Sequence, residues 1–185
     1  MARMAQMGFR RWLVWFALVC GVLAHAQSTP SRAPEVTFDD EAALLSADFN
    51  LSLGPALEEA LARGVPLYFV LETEVVRERL LLNDTVASRI ETFRLAYVPL
   101  TRSYRLSSGL YSQNVPTLEA ATRQFSKLRA TRVAERKLLQ KGERYVALAR
   151  LRHDTSQLPK PLQLSALASR EWSIEVDPVR VPFTP

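Results

Sequence analysis

Cysteine, histidine and glycine are all scarce, at one, two and six residues among 185. A lone Cys20 cannot close an intramolecular disulfide or build a thiolate metal cluster. Two imidazoles, His25 and His153, leave His-based catalytic or metal constellations almost nothing to draw on. There is no Gly-rich phosphate loop, no dinucleotide fingerprint and no zinc-ligand spacing. Nor is any apolar stretch close to the roughly 20 residues that a membrane-spanning helix needs; the segment from Trp12 to Leu23 is only about 12 long.

What that segment has instead is the setting of an export signal. Arg3, Arg10 and Arg11 precede it, and Ala24-His25-Ala26 follows as an A-x-A cleavage pattern. The expected organisation is therefore a signal peptide over 1–26, a polar linker over 27–34 and a single globular domain over 35–185, located in the periplasm. An uncleaved anchor is one alternative, and lipidation at Cys20 is another that the bulky Val19 before it opposes. Cleavage would remove three arginines, lowering the formal charge from +5 to about +2. It would also remove Cys20, so the mature chain would have no thiolate nucleophile.

The clearest local unit is Leu53 to Thr73. Pro55 suits a first helical position, Leu57 and Leu61 share a face, and Gly64 sits where a left-handed cap ends the helix. The apolar run from Val65 to Leu71 then reads as a strand covered on both faces, continuing past Thr73 as an exposed ribbon. Period-two alternation predicts further strands ending at Leu53, over Ile90 to Val98 and around Tyr104 and Leu106. Thr117 predicts an N-cap for a second helix running to Arg129, with Phe125 in its apolar stripe. Val133 to Gln140 and Tyr145 to His153 read as a hairpin with Tyr145, Ala147, Ala149 and Leu151 inward, Leu158 to Leu162 as an extended connector, and Trp172 to Val176 as a final strand. The expected fold is mainly β (α+β): one antiparallel, sandwich-like or strongly bent sheet domain with two short helices.

The succession GPALEEALARGVPLYFVLE, FRLAYVPLTRSYRLSSG, YVALARLRHD, LPKPLQL and EWSIEV resembles a family of exported proteobacterial proteins known as domain-of-unknown-function family 4390. The likeness covers nearly the whole mature chain, although members tend to carry aromatic residues where this chain has Leu80, Leu81 and Leu82. It implies an envelope protein often encoded beside a nitrogen-regulation-type two-component system, and it brings no catalytic residues to transfer.

The remaining chemistry is thin. His153 has only Asp154 beside it and no third group to orient the ring, which favours a surface histidine at a strand end over a catalytic one. Glu72 and Glu74 share a strand face and could act as an acid/base pair, but arginines stand near enough in sequence to pair with them. Asp39-Asp40-Glu41 reads as an acidic loop, and no cofactor or metal is expected. Charge is unevenly distributed: Glu35 to Glu91 holds 12 acids and four arginines, whereas Arg123 to Arg152 holds ten bases and two acids. Arg123, Lys127, Arg132, Arg136 and Lys141 are the candidate interaction surface, either for an envelope protein or for an anionic membrane surface, unless they pair with the acidic half. Nucleic acid is not an expected partner of an exported chain. The expected function is a periplasmic, non-enzymatic binding or accessory module of unknown ligand, with an envelope two-component sensor as the link the resemblance implies; a carboxylate-dependent hydrolase is the alternative.

Overall fold

Leu57 and Leu61, four apart behind a proline, bury one face of a short helix, α1 (Pro55–Ala62). Gly64 ends it at φ 85°, and the N–H groups of Gly64 and Val65 close onto the carbonyls of Leu61 and Ala60. The computed structural model describes residues 33–79, 83–174 and 176–185. The signal-peptide reading, most of the linker and the Leu80-Leu81-Leu82 departure lie outside the described residues.

Among the described residues there are nine strands: β1 (Glu35–Phe38), β2 (Ala42–Asp48), β3 (Leu67–Arg77), β4 (Asp84–Val98), β5 (Ser103–Ser108), β6 (Tyr111–Val115), β7 (Lys127–Glu135), β8 (Tyr145–His153) and β9 (Val179–Phe183). Two further helices are α2 (Leu118–Ser126) and α3 (Lys160–Ala168). The strands form a three-stranded sheet ordered β1-β2-β7 and a six-stranded sheet ordered β6-β5-β4-β3-β8-β9, with every pairing antiparallel. The fold is therefore mainly β, as the alternation implied.

One core joins the sheets. Ala43, Leu45 and Ala47 of β2 meet Phe69, Leu71 and Val75 of β3 and Tyr145, Ala147 and Ala149 of β8 in a single buried cluster. Phe125 carries α2 onto this core, stacked on Phe69 at 4.7 Å and on Phe93 at 5.4 Å between ring centroids. At the opposite margin Phe38 of β1 meets Phe183 of β9 edge to face at 5.8 Å. Arg32–Pro185 form one compact unit. No helix among the described residues is long and apolar enough to cross a membrane.

Several local expectations are corrected. Past Leu71, β3 is no exposed ribbon: β8 pairs with it to Arg77, and Thr73 and Val75 remain buried. The second helix stops at Ser126, and Lys127, already in extended backbone, begins β7 without a loop. β7 and β8 do not form a hairpin, because β7 pairs with β2 in the smaller sheet and β8 with β3 in the larger. Leu158 to Leu162 is not extended throughout; Pro159 and Pro161 sit before and within the first turn of α3, where a missing N–H breaks no helical bond. Trp172 closes a 3-10 turn where a strand was expected, and the last strand is β9. Its Pro182 is tolerated because β9 is an edge.

Candidate interaction surfaces

The basic residues singled out by sequence run from α2 through β7 to the turns that follow it, and four of the five are engaged. Arg123 reaches back one helical turn to Glu119 at 2.9 Å, an exposed pair. Lys127 bonds Asp48 at 2.7 Å across the β2–β7 ladder, where Asp48 is largely covered. Burial works to raise the Asp48 carboxyl, but the Lys127 ammonium and the Asn50 N–H outweigh it and hold the group below its ordinary range. Arg132 lies 3.9 Å from Glu41. Arg136 donates to the Asp39 carbonyl at 2.9 Å and lies over the Phe38 ring at 5.4 Å. Lys141 is exposed and forms no ion pair with another described residue.

The acidic first half and the basic third quarter of the chain thus face each other through β2 and β7. Lys127→Glu should lower stability by about 1–3 kcal/mol, because it leaves two like charges in a partly covered site. Arg123→Glu should change it by only about 0.5 kcal/mol. Urea unfolding of the two variants distinguishes them, and equal effects would show that Lys127 is not paired in solution.

Glu72 and Glu74 lie on the outer face of the larger sheet, since Thr73 between them and Val75 after them are buried in the core. They line a shallow cleft of about 250 Å³ with Arg150 and Arg180. Glu72 accepts from Arg152 at 3.1 Å, and Glu74 is exposed. A neighbouring cleft of about 310 Å³ shares Arg180 and adds Glu78. Two carboxylates among arginines on an open sheet face can bind a charged group. Among the described residues no three His, Cys, Asp or Glu side chains are grouped to hold a metal ion.

His153 is buried, not a surface strand-end residue. Its Nδ1 lies 2.9 Å from the Trp172 carbonyl oxygen, so this nitrogen carries the proton and donates, while the buried Nε2 has no hydrogen-bond partner among the described residues. Burial pushes the imidazole below its ordinary pKa, against a smaller opposing pull from the Trp172 carbonyl and Asp154. A ring that stays neutral in the fold but protonates in the unfolded chain contributes stability above about 6.5, the ordinary value, and loses it as the pH falls further. Thermal unfolding followed from about pH 7.5 to about pH 5 should show this decline, and His153→Gln should flatten it. A decline of unchanged slope in the variant would assign the effect to other groups.

Sequence reasoning passed over one corner. β6 is uncharged, Tyr111-Ser112-Gln113-Asn114-Val115, and pairs in strict register with β5 across the two-residue turn Gly109-Leu110. Between β6 and α2 opens a cleft of about 390 Å³, floored by Phe93 and Leu106 and rimmed by Ser108, Tyr111, Gln113 and Gln124. The Gln113 amide donates to the Gln124 side-chain oxygen across it. A run of five residues without charge or proline was the available signal.

A family model described as Domain of unknown function (DUF4390) matches residues 26–182. No curated protein and no solved structure matches the chain.

Proposed function

The chain belongs to the DUF4390 family, whose description assigns no activity, and we propose from its surface that it is a non-enzymatic binding or accessory module of the cell envelope. The observation that carries this reading is the state of Glu72 and Glu74. These acids, the best catalytic pair in the sequence, are solvated on an open sheet face, with Glu72 held by Arg152. Such a face recognises a partner by alternating charge; it does not exclude water from a reacting bond. The n-region arginines and the A-x-A pattern support export, and the family match leaves residues 1–25 outside it. A partner in the envelope, such as the extracytoplasmic part of a sensor, fits that location.

Fractionation followed by intact-mass measurement and in-cell crosslinking tests the reading. The chain should appear in the periplasmic fraction with Gln27 as its first residue and should crosslink to an envelope protein. The Glu72→Gln/Glu74→Gln double variant should retain that partner and restore a deletion strain. Recovery from the cytoplasm with residues 1–26 attached would sink the export claim. Loss of function in the double variant with the partner retained would instead favour the carboxylate-dependent hydrolase.

A further inference from the structure

Residues opposite each other in an antiparallel ladder share a face, so the pairing maps the outer side of the larger sheet. Arg105 of β5 lies opposite Ala96, two residues from Arg94 of β4. Arg94 lies opposite Tyr68, two residues from Val70 of β3. Val70 lies opposite Arg152, two residues from Arg150 of β8, and Leu148, two further on, lies opposite Arg180 of β9. Each strand crossed thus shifts the position by one outward residue. Arg105, Arg94, Val70, Arg150 and Arg180 form a diagonal file from β5 to β9, with Arg152 beside it at Val70. With strands about 4.8 Å apart and outward residues about 6.8 Å apart, neighbours in the file stand about 8 Å apart and its length is roughly 30 Å.

Three of these arginines are held through Nε by a neighbour on the same face. Arg105 donates to Asn114 Oδ1 at 3.3 Å, Arg94 to the Tyr68 hydroxyl at 3.2 Å and Arg152 to Glu72 at 3.1 Å. A guanidinium fixed at Nε keeps both terminal nitrogens for a carboxylate, and no described residue bonds them. Arg150 and Arg180 are exposed and form no ion pair with another described residue. The basic residues of α2 and β7 are mostly occupied within the fold; of the outer arginines only Arg152 meets an acid. Glu72 and Glu74 both lie on one side of the file, and Ile90, opposite Glu72, is 68% exposed on the same face.

We propose that this diagonal is the docking line for an acidic, extended segment of a partner protein. Its carboxylates are taken in turn by Arg105, Arg94, Arg150 and Arg180, with Ile90 as the apolar contact beside them. About nine extended residues cover the length. The assignment rests on the binding-module reading and names the chemistry of the partner. A bilayer surface fits less well. A plane of anionic headgroups would cover Glu72 and Glu74 together with the arginines, whereas a single chain follows the file and leaves the acids at its side.

The test is a fluorescence-anisotropy titration of the purified protein with a blocked, dye-labelled peptide of five Thr-Glu repeats, whose glutamates stand about 6.8 Å apart when extended. Saturable binding that weakens with added salt is expected, and replacing every Glu of the peptide by Gln should abolish it. Arg150→Gln/Arg180→Gln should weaken binding at least about tenfold with little change in melting temperature. Arg129→Gln/Lys141→Gln removes the same charge elsewhere and should change it less than about twofold. Glu72→Gln/Glu74→Gln should tighten it, because two like charges leave the ligand's side. No binding, equal losses in the two basic pairs, or weakening by the Glu72/Glu74 pair overturns the proposal. So does binding to mixed phosphatidylcholine and phosphatidylglycerol vesicles that Arg150→Gln/Arg180→Gln abolishes while the peptide does not bind, because the face would then belong to a lipid surface. A negative peptide result alongside a crosslinked envelope partner would remove the docking line and leave the binding-module reading standing.

Discussion

Phe125→Ala is expected to lower the unfolding free energy by about 3–5 kcal/mol, a large share of the 5–15 kcal/mol that a domain of this size typically has. The ring is 1% exposed and lies between Phe69 of β3 and Phe93 of β4, so its removal takes out the contact by which α2 holds the larger sheet. The neighbours cannot collapse into the space, because both belong to strands fixed by pairing on each side. Urea denaturation gives the value directly. A loss under about 1 kcal/mol would mean that α2 is not seated on the sheet in solution.

Tyr145 should be nearly as sensitive, and here two substitutions separate two causes. The residue has no exposed surface, its ring stacks on Phe183 at 5.6 Å, and the Arg77 guanidinium lies over it at 5.5 Å. Its hydroxyl accepts the backbone N–H of Gln140 at 2.8 Å. Tyr145→Phe removes only that acceptor and should cost about 1–2 kcal/mol. Tyr145→Ala should cost about 3–5 kcal/mol, since the ring goes as well and Arg77, whose buried Nε has no hydrogen-bond partner among the described residues, loses its cover. Chemical denaturation of both variants at one pH measures the gap. Equal losses would show that the hydroxyl, not the ring, carries the site.

β4, β5 and β8 of the larger sheet were legible because burial on one face forces strict alternation, as in Tyr145, Ala147, Ala149 and Leu151. α1 was legible because proline, paired leucines and glycine each act locally. The errors fall where tertiary structure overrides local preference. Lys127 and Leu128 continue the helical spacing of α2, yet β2 claims them as ladder partners. Two prolines argued against regular structure at Leu158 to Leu162, but the objection applies to a strand interior and not to the first turn of a helix. β6 was invisible because an exposed polar edge has no apolar period to detect.

For the surface, sequence supplied the charges but not their partners. Lys127 and Asp48, or Arg152 and Glu72, become neighbours only through strand pairing, which no local pattern encodes. The burial of His153 was hidden for the same reason, since its cover comes from Phe69 and its hydrogen-bond acceptor from Trp172.

The β2–β7 ladder also sets an order of events during folding. Asp48 is joined to Lys127 and Ala42 to Glu135, so the smaller sheet cannot close until the chain as far as Glu135 is available. Until then the β1–β2 hairpin has one unsatisfied margin, and the apolar side chains of Ala43, Leu45 and Ala47 have no opposite layer. Contacts so distant in sequence slow a search and prolong the interval in which a sticky edge is open to aggregation. A chain emerging N-terminus first therefore depends on protection through more than half its length, and truncation anywhere before Lys127 removes the strand that ends that dependence.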